Sequence, residues 1–267
     1  VRNSAPRWRS TAEALLAGFD FGFYYNPNTG FLRGGYWPAP PPRTATDSGF
    51  TRHHYDVLNT ETRIASYLAI AWDQVPARHY FKLRRCRPPA GNNGNGHSPD
   101  LRRLYLDEPV YWEDTYYHDI KLVPSWGGSM FEALMVPLLV PEEQWGPLSW
   151  GINHPNYVAA QIHHGLHEAG YGYWGFSPSC NPAGGYCEYG VHGIGQYPRG
   201  YHSHNGGRRR RNGNGAAHPG EGIVTPHAIF LALDFAPEAA LENLDNLLRD
   251  FPLYLSLIHI SEPTRPY

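Results

Sequence analysis

Three glutamates stand where a carboxyl group has chemistry open to it. Glu132 lies in the run Ser-Trp-Gly-Gly-Ser-Met-Phe-Glu-Ala-Leu-Met-Val-Pro-Leu-Leu of residues 125–139, with apolar residues around it on all sides of the helical wheel. A helix that is apolar all round is a buried one, and a buried carboxylate without a partner takes up a proton. Glu132 therefore calls for a structural hydrogen bond, an ion pair with an arginine, or a wet pocket. Glu61 is the second. Over residues 55–72, Val57, Leu58, Ile64, Ala65, Leu68 and Trp72 share one arc at about 100° per residue, with Glu61 in its middle. Asp56, Thr60, Arg63 and Tyr67 gather on the adjoining face, where Asp56 or Glu61 can either pair with Arg63 as a structural clamp or bind a ligand hydroxyl. Glu188 is the third, in a long irregular segment, residues 171–204, that also holds Trp174, Tyr189 and His192. Long loops in compact domains are functional or disordered. Burial raises a carboxyl pKa, and a raised pKa is what a general acid requires.

Other polar groups carry weaker signals. His163 and His167 are four apart, a spacing that could hold a metal on one helix face, but the His-Glu-x-x-His order of metalloproteases is absent and no metal or cofactor is expected. Asp114 and Asp119 lie among tyrosines in an arm, residues 101–121, that has no clear period; they read as substrate contacts or as solvated surface charge.

The elements that must position these groups are helices joined by loops. Residues 1–18 read as the tail of a helix, with a capping box in Ser-Thr-Ala-Glu at 10–13. Residues 19–30 form a turn-rich aromatic loop. Helices are predicted over 55–72, 77–86, 125–139 and 153–168, the last with Pro155 near its first turn and Gly170 just past its end. Thr225 and Pro226 open a further helix to Phe235, and Pro237 opens one whose Leu241, Leu244, Leu248 and Phe251 keep the helical period. Residues 87–100 and 206–222, rich in Gly, Asn and Arg, read as insertions. With no strand-period runs of note, the fold class expected is all-α.

At 267 residues and 41% hydrophobic composition, the chain is long enough for one sizeable core. A net charge of -2 gives no basic field for nucleic acid, and no apolar run reaches the ~18 residues of a membrane span. The abundance of aromatics, 19 Tyr and 8 Trp beside 29 Gly and 25 Pro, suits aromatic platforms on irregular loops as well as ordinary cores. Of three cysteines, Cys180 and Cys187 are the plausible disulfide pair, although free thiols fit the count equally well.

The stretch Trp-Gly-Gly-Ser-Met-Phe-Glu-Ala-Leu-Met at 126–135 resembles the bacterial glucoamylase-like domain family, which includes endo-beta-1,2-glucanases and the central domain of cyclic beta-1,2-glucan synthases. Residues 55–71 look like that family's upstream helix, and Tyr-Trp-Gly-Phe-Ser at 173–177 like its Trp-Gly-Ile-Ser loop. The resemblance implies an (α/α)6 toroid, present here as an incomplete interior fragment over residues 1–254 that is inactive by itself. It implies a glycoside hydrolase acting on a beta-glucan, with a beta-1,2-linked one among the options, by paired-carboxylate catalysis. The alternatives are a transglycosylase with the same site and a non-catalytic glycan-binding module. Glu61 matches the family position that looks like the nucleophile; the loop glutamate that follows Trp-Gly-Ile-Ser is replaced by Pro178, which leaves Glu188 and Glu132 as candidate partners. Asp56, Arg63, Trp126, Trp174, Tyr189 and His192 are the candidate substrate contacts. The implied partner is an oligosaccharide or polysaccharide, with no nucleic acid and no membrane, for a monomer located outside the cell or in the periplasm. Residues 255–267 resemble a translated sequencing adapter and are set apart from the fold.

Overall fold

A computed structural model describes residues 5–38, 49–86, 102–111, 115–180, 186–196 and 223–251. The chain divides into two compact units, Val1–Asp56 with Thr62–Arg84 and Arg103–Val110, and Val57–Glu61 with Arg85–Arg102 and Tyr111–Tyr267.

The first unit opens with α1 (Ala5–Ala17). Its described side chains are exposed, and Ser10 and Glu13 lie inside the helix, so the expected capping box is not one. The short α2 (Phe21–Tyr24) is capped by Asp20, whose carboxylate accepts from the Phe23 amide at 3.0 Å. A three-stranded antiparallel sheet follows, β1 (Tyr25–Asn26), β2 (Phe31–Arg33) and β3 (His54–Tyr55), in that spatial order. Tyr25 pairs with Leu32, and Leu32 with Tyr55. Next come α3 (Arg63–Ala71) and α4 (Arg78–Lys82). The core here is small: Leu32, Ala69 and Val75, with Phe21, Tyr25 and Ala65 packed against it. His79 ties three pieces together. Its Nδ1 donates to the Gly30 carbonyl at 2.8 Å, leaving Nε2 to accept from Ser66 Oγ at 2.9 Å. The hairpin of β4 (Arg102–Tyr105) and β5 (Glu108–Tyr111) turns on Leu106 and Asp107, both at positive φ, as a two-residue type I′ turn demands.

The second unit is built round a larger core. Hairpin β6 (Thr115–Tyr117) and β7 (Ile120–Leu122) leads to α5 (Met130–Leu134), a 3-10 turn Val136–Leu138, α6 (Glu142–Trp145) and α7 (Trp150–His163), which runs on into a π-helical turn His164–Glu168. The small strands β8 (Ser179–Cys180) and β9 (Tyr186–Cys187), a 3-10 turn His192–Ile194, α8 (Pro226–Leu231) and α9 (Pro237–Asp250) complete it. Met130, Leu134, Tyr157, Phe176, Ile194 and Ile229, all fully buried, lie at the centre. Thr225 and Pro226 do open α8, and α9 turns Ala240, Asn243 and Leu247 inward. The Asn243 amide grips the backbone of Trp174, donating to its carbonyl at 2.9 Å and accepting from its N–H at 3.4 Å.

The all-α expectation is corrected. Among the described residues nine strands form one three-stranded and three two-stranded sheets, and no (α/α)6 toroid is shown. Strands of two to four residues carry too few alternations to register as a period of two. Four helices are also shorter than expected: α3 starts at Arg63 rather than 55, α4 spans Arg78–Lys82 rather than 77–86, α5 starts at Met130 rather than 125, and α8 ends at Leu231 rather than Phe235. Helix α7 begins at Trp150, which puts Pro155 in its second turn. The arm at 101–121 contains two hairpins. The insertions at 87–100 and 206–222 and the tail at 255–267 lie outside the described residues. No described helix is long and apolar enough to cross a membrane.

Candidate active site

Three backbone segments of the second unit run side by side: Val57–Glu61, residues 123–128 and residues 191–196. Parallel bridges join Asn59 to Ser125 and Ser125 to Gly195. The Asn59 side chain donates to the Val123 carbonyl at 2.8 Å, the Ser125 amide to the Ile194 carbonyl at 3.1 Å, and the Gln196 amide to the Ser125 carbonyl at 2.8 Å. Residues of this bundle with no side chain make the approach possible. A Cβ on Gly128, at φ +84°, would stand 2.0 Å from the Val191 carbonyl oxygen; one on Gly190 would stand 2.4 Å from that of Gly127.

Glu132 is the keystone of the central segment rather than a free acid. It is 5% exposed, and three groups donate to its carboxylate: Ser125 Oγ at 2.6 Å, the Gly127 amide at 3.0 Å and the Ser129 amide at 3.2 Å. Ser129 accepts from the Glu132 amide in return, closing a capping box at the start of α5. Tyr157, from α7, puts its hydroxyl 2.7 Å from Ser125 Oγ and 3.2 Å from the Ser129 carbonyl. Gln161, one turn on, donates to the Gly128 carbonyl at 2.8 Å and accepts from the Phe176 amide at 2.9 Å. Of the options open to Glu132 in the sequence, the structural hydrogen bond is the one seen.

Glu61 and Glu188 are placed differently. Glu61 is half-buried in the turn that precedes α3, not inside a helix. Glu188 follows β9 and is solvent-accessible as a residue. Its carboxyl is pushed above the ordinary range, first by partial burial of the group and then by the negative field of Glu132. The hydroxyl of Tyr186 is raised likewise, by burial and then by the charges of Glu188, Glu61, Glu132 and Cys180. Tyr186 is 68% exposed, so water screens that shift. The segment that ends in Glu61, the turn that Glu132 holds and the segment that follows Glu188 lie side by side through their main-chain pairing.

The remaining candidates separate. Trp126 is half-buried in the turn before α5, and His192 is exposed at the start of its 3-10 turn. Trp174, 2% exposed, and Tyr189, wholly buried, are packed in the interior of the second unit. Asp56 and Arg63 belong to the first unit. Asp56 is ion-paired with Arg84, whose amide also donates to the Asp56 carbonyl at 2.8 Å, and Arg63 is buried in α3. Asp119 is exposed at the β6–β7 turn, and Asp114 lies outside the described residues. Cys180 is a free, exposed thiol, the second of the two options left open by the sequence, and the side chain of Cys187 lies outside the described residues. Sequence reasoning missed Tyr186 and the Tyr157–Gln161 pair. The latter are four apart with their polar ends on one face of α7, the one signal that could have found them.

The chain is 28% identical over 245 residues to the cyclic beta-(1,2)-glucan synthase NdvB of Rhizobium meliloti (strain 1021). This match supports a relation to the cyclic beta-glucan synthases. It covers 90% of this chain and 7% of NdvB, so the chain spans a small part of that protein's length. No protein-family model matches, and the glucoamylase-like domain is not confirmed.

Proposed function

We propose that this chain carries part of a carbohydrate-active centre that cleaves or transfers a beta-glucan, with Glu61 and Glu188 as the working carboxyl pair and Glu132 as their structural support. The observation that carries the reading is the lateral pairing of three main-chain segments, the one that ends in Glu61, the turn at residues 125–128 that Glu132 holds, and the one that follows Glu188. Breaking a glycosidic bond takes one carboxyl group that is protonated to assist the leaving oxygen and one that is ionised as base or nucleophile. Glu188, raised by burial and by a neighbouring negative charge, suits the acid. Glu61 then serves as the ionised partner, as the family resemblance implies. Glu132, its lone pairs already engaged by three donors, holds the central turn in place. The name of the related NdvB puts a beta-(1,2)-linked glucan first among substrates to try. Whether water or a sugar hydroxyl accepts the cleaved chain decides between hydrolase and transglycosylase, and the same pair serves both.

The test is to assay Glu61→Gln and Glu188→Gln on beta-(1,2)-glucan for new reducing ends, for redistributed chain lengths and for oligosaccharide binding. Each substitution should lower turnover by at least ~100-fold, the low end for loss of a catalytic acid or base, while binding stays nearly intact. Redistributed lengths without new reducing ends identify transfer. Both variants are made in a chain extended to the length of the related domain; unchanged turnover in both removes the pair, and binding without turnover in that extended chain identifies a glycan-binding module instead.

A further inference from the structure

At the far end of α7 the helix leaves the α register. The Ala169 amide donates to the His164 carbonyl at 2.8 Å, a bond that spans five residues, and His164–Glu168 forms a π-helical turn. Such single turns interrupt α-helices mostly at functional sites. In a regular α-helix a residue and its fifth neighbour lie about 140° apart round the axis. The π turn cancels much of that angle and brings His163 and Glu168 to one side, where the β6–β7 turn presents His118. One donor atom from each of the three lies within 4.8 Å of the others. His118 Nε2 and Glu168 Oε1 are hydrogen-bonded at 2.7 Å, a contact that an ion entering between them would replace, and the rings of His118 and His163 are 4.3 Å apart.

We propose that His118, His163 and Glu168 form a binding site for a divalent transition-metal ion of the zinc class. Two imidazoles and one carboxylate are the donor set such ions take, at about 2.0–2.2 Å each, and hard oxygen-seeking ions such as magnesium do not favour it. The support behind Glu168 is that of a metal ligand. Its other oxygen, Oε2, is held by the Tyr117 hydroxyl and lies 2.6 Å from His164 Nδ1, both on buried residues, so Oε1 is left turned to His118. His118 is held at φ +51° by the hairpin turn, an uncommon conformation of the kind found at ligand clamps. Nδ1 of His163 is buried with no hydrogen-bond partner in the structure. The sequence suggests His163 with His167 instead; His167 is beside His163, with ring centroids 5.1 Å apart, but outside the triad.

Zinc binding to the untagged full chain, measured by titration calorimetry with cobalt(II) visible absorption as a second readout, decides this. We expect one tightly bound ion per chain. His118→Asn and His163→Gln should each weaken it by at least about 10-fold, with circular dichroism unchanged; His118 is exposed and asparagine tolerates its positive φ, so that variant keeps its fold. His167→Asn should leave affinity nearly unchanged, and zinc should raise the melting temperature of the parent but not of His118→Asn. No binding by the parent chain, or binding undiminished in both ligand variants, overturns the proposal.

Discussion

Two glutamates of the same neighbourhood have opposite duties, and substitution separates them. Removing the Glu132 carboxylate in Glu132→Ala strips the acceptor from Ser125 Oγ and from the Gly127 and Ser129 amides. Buried donors left without partners cost enough that a loss of roughly 2–4 kcal/mol is expected in urea unfolding. Glu132→Gln should lose less, because its amide oxygen still accepts while its NH2 faces a donor. Glu188→Gln, at a solvent-accessible position where partial burial and Glu132 already disfavour the charge it removes, should leave the urea midpoint nearly where it was. Equal stability of all these variants would show that Glu132 holds nothing in place. The apolar run around Glu132 announced a buried carboxylate in the sequence, but whether it would be held by hydrogen bonds or left to do chemistry was not legible. That depends on Ser125, Gly127 and Ser129 folding back on it, a turn geometry with no periodicity of its own.

At the scale of elements, the close approach of residues 126–128 and 190–195 positions Glu188. In Gly128→Ala the new Cβ meets the Val191 carbonyl, main chain to main chain, at a positive φ that alanine disfavours. The segment that bears Glu188 should then lift off. We expect limited proteolysis within residues 186–196 to quicken and turnover to drop, with little change in helix content; a variant as resistant as the parent would show that the two segments do not need each other. Helices α8 and α9 were readable because Thr225 with Pro226, and Pro237, mark their starts, and the period of α9 runs for several turns. The hairpins were not, since their strands are too short to show a pattern and their turns use Leu106, Asp107 and His118 at positive φ rather than glycine. The His118–Glu168 cluster escaped for a related reason: a hairpin tip and a π turn meet there, and helical spacing pairs His163 with His167 instead.

Across the whole molecule, the two units differ in how much they bury. The first rests on three buried apolar residues and their neighbours, the second on a core many times larger. Local opening free energies follow buried contact, so in hydrogen exchange the amides of α3 and the β1–β3 sheet should exchange before those of α5, α7 and α8. Acid should widen the gap. Burial holds the pKa of His79 below its ordinary 6.5, although the Gly30 carbonyl partly opposes this. The unfolded chain therefore takes up the proton first on acidification; the stability is complete above about pH 6.5 and declines as pH falls below it. Protection factors in α3, which divide out the intrinsic slowing of exchange in acid, should fall as pH drops below about 6.5 and lose that dependence in His79→Gln; a profile unchanged by the substitution would assign the effect elsewhere. The crowding of Gly128, Gly190 and Gly195 against neighbouring main chain bears on how any catalogue of tolerated substitutions should be interpreted. Those positions will reject every other amino acid as firmly as a nucleophile would, though they hold no reactive atom. Intolerance there marks contact between peptide planes, and only a substitution that spares folding while silencing the reaction points to chemistry.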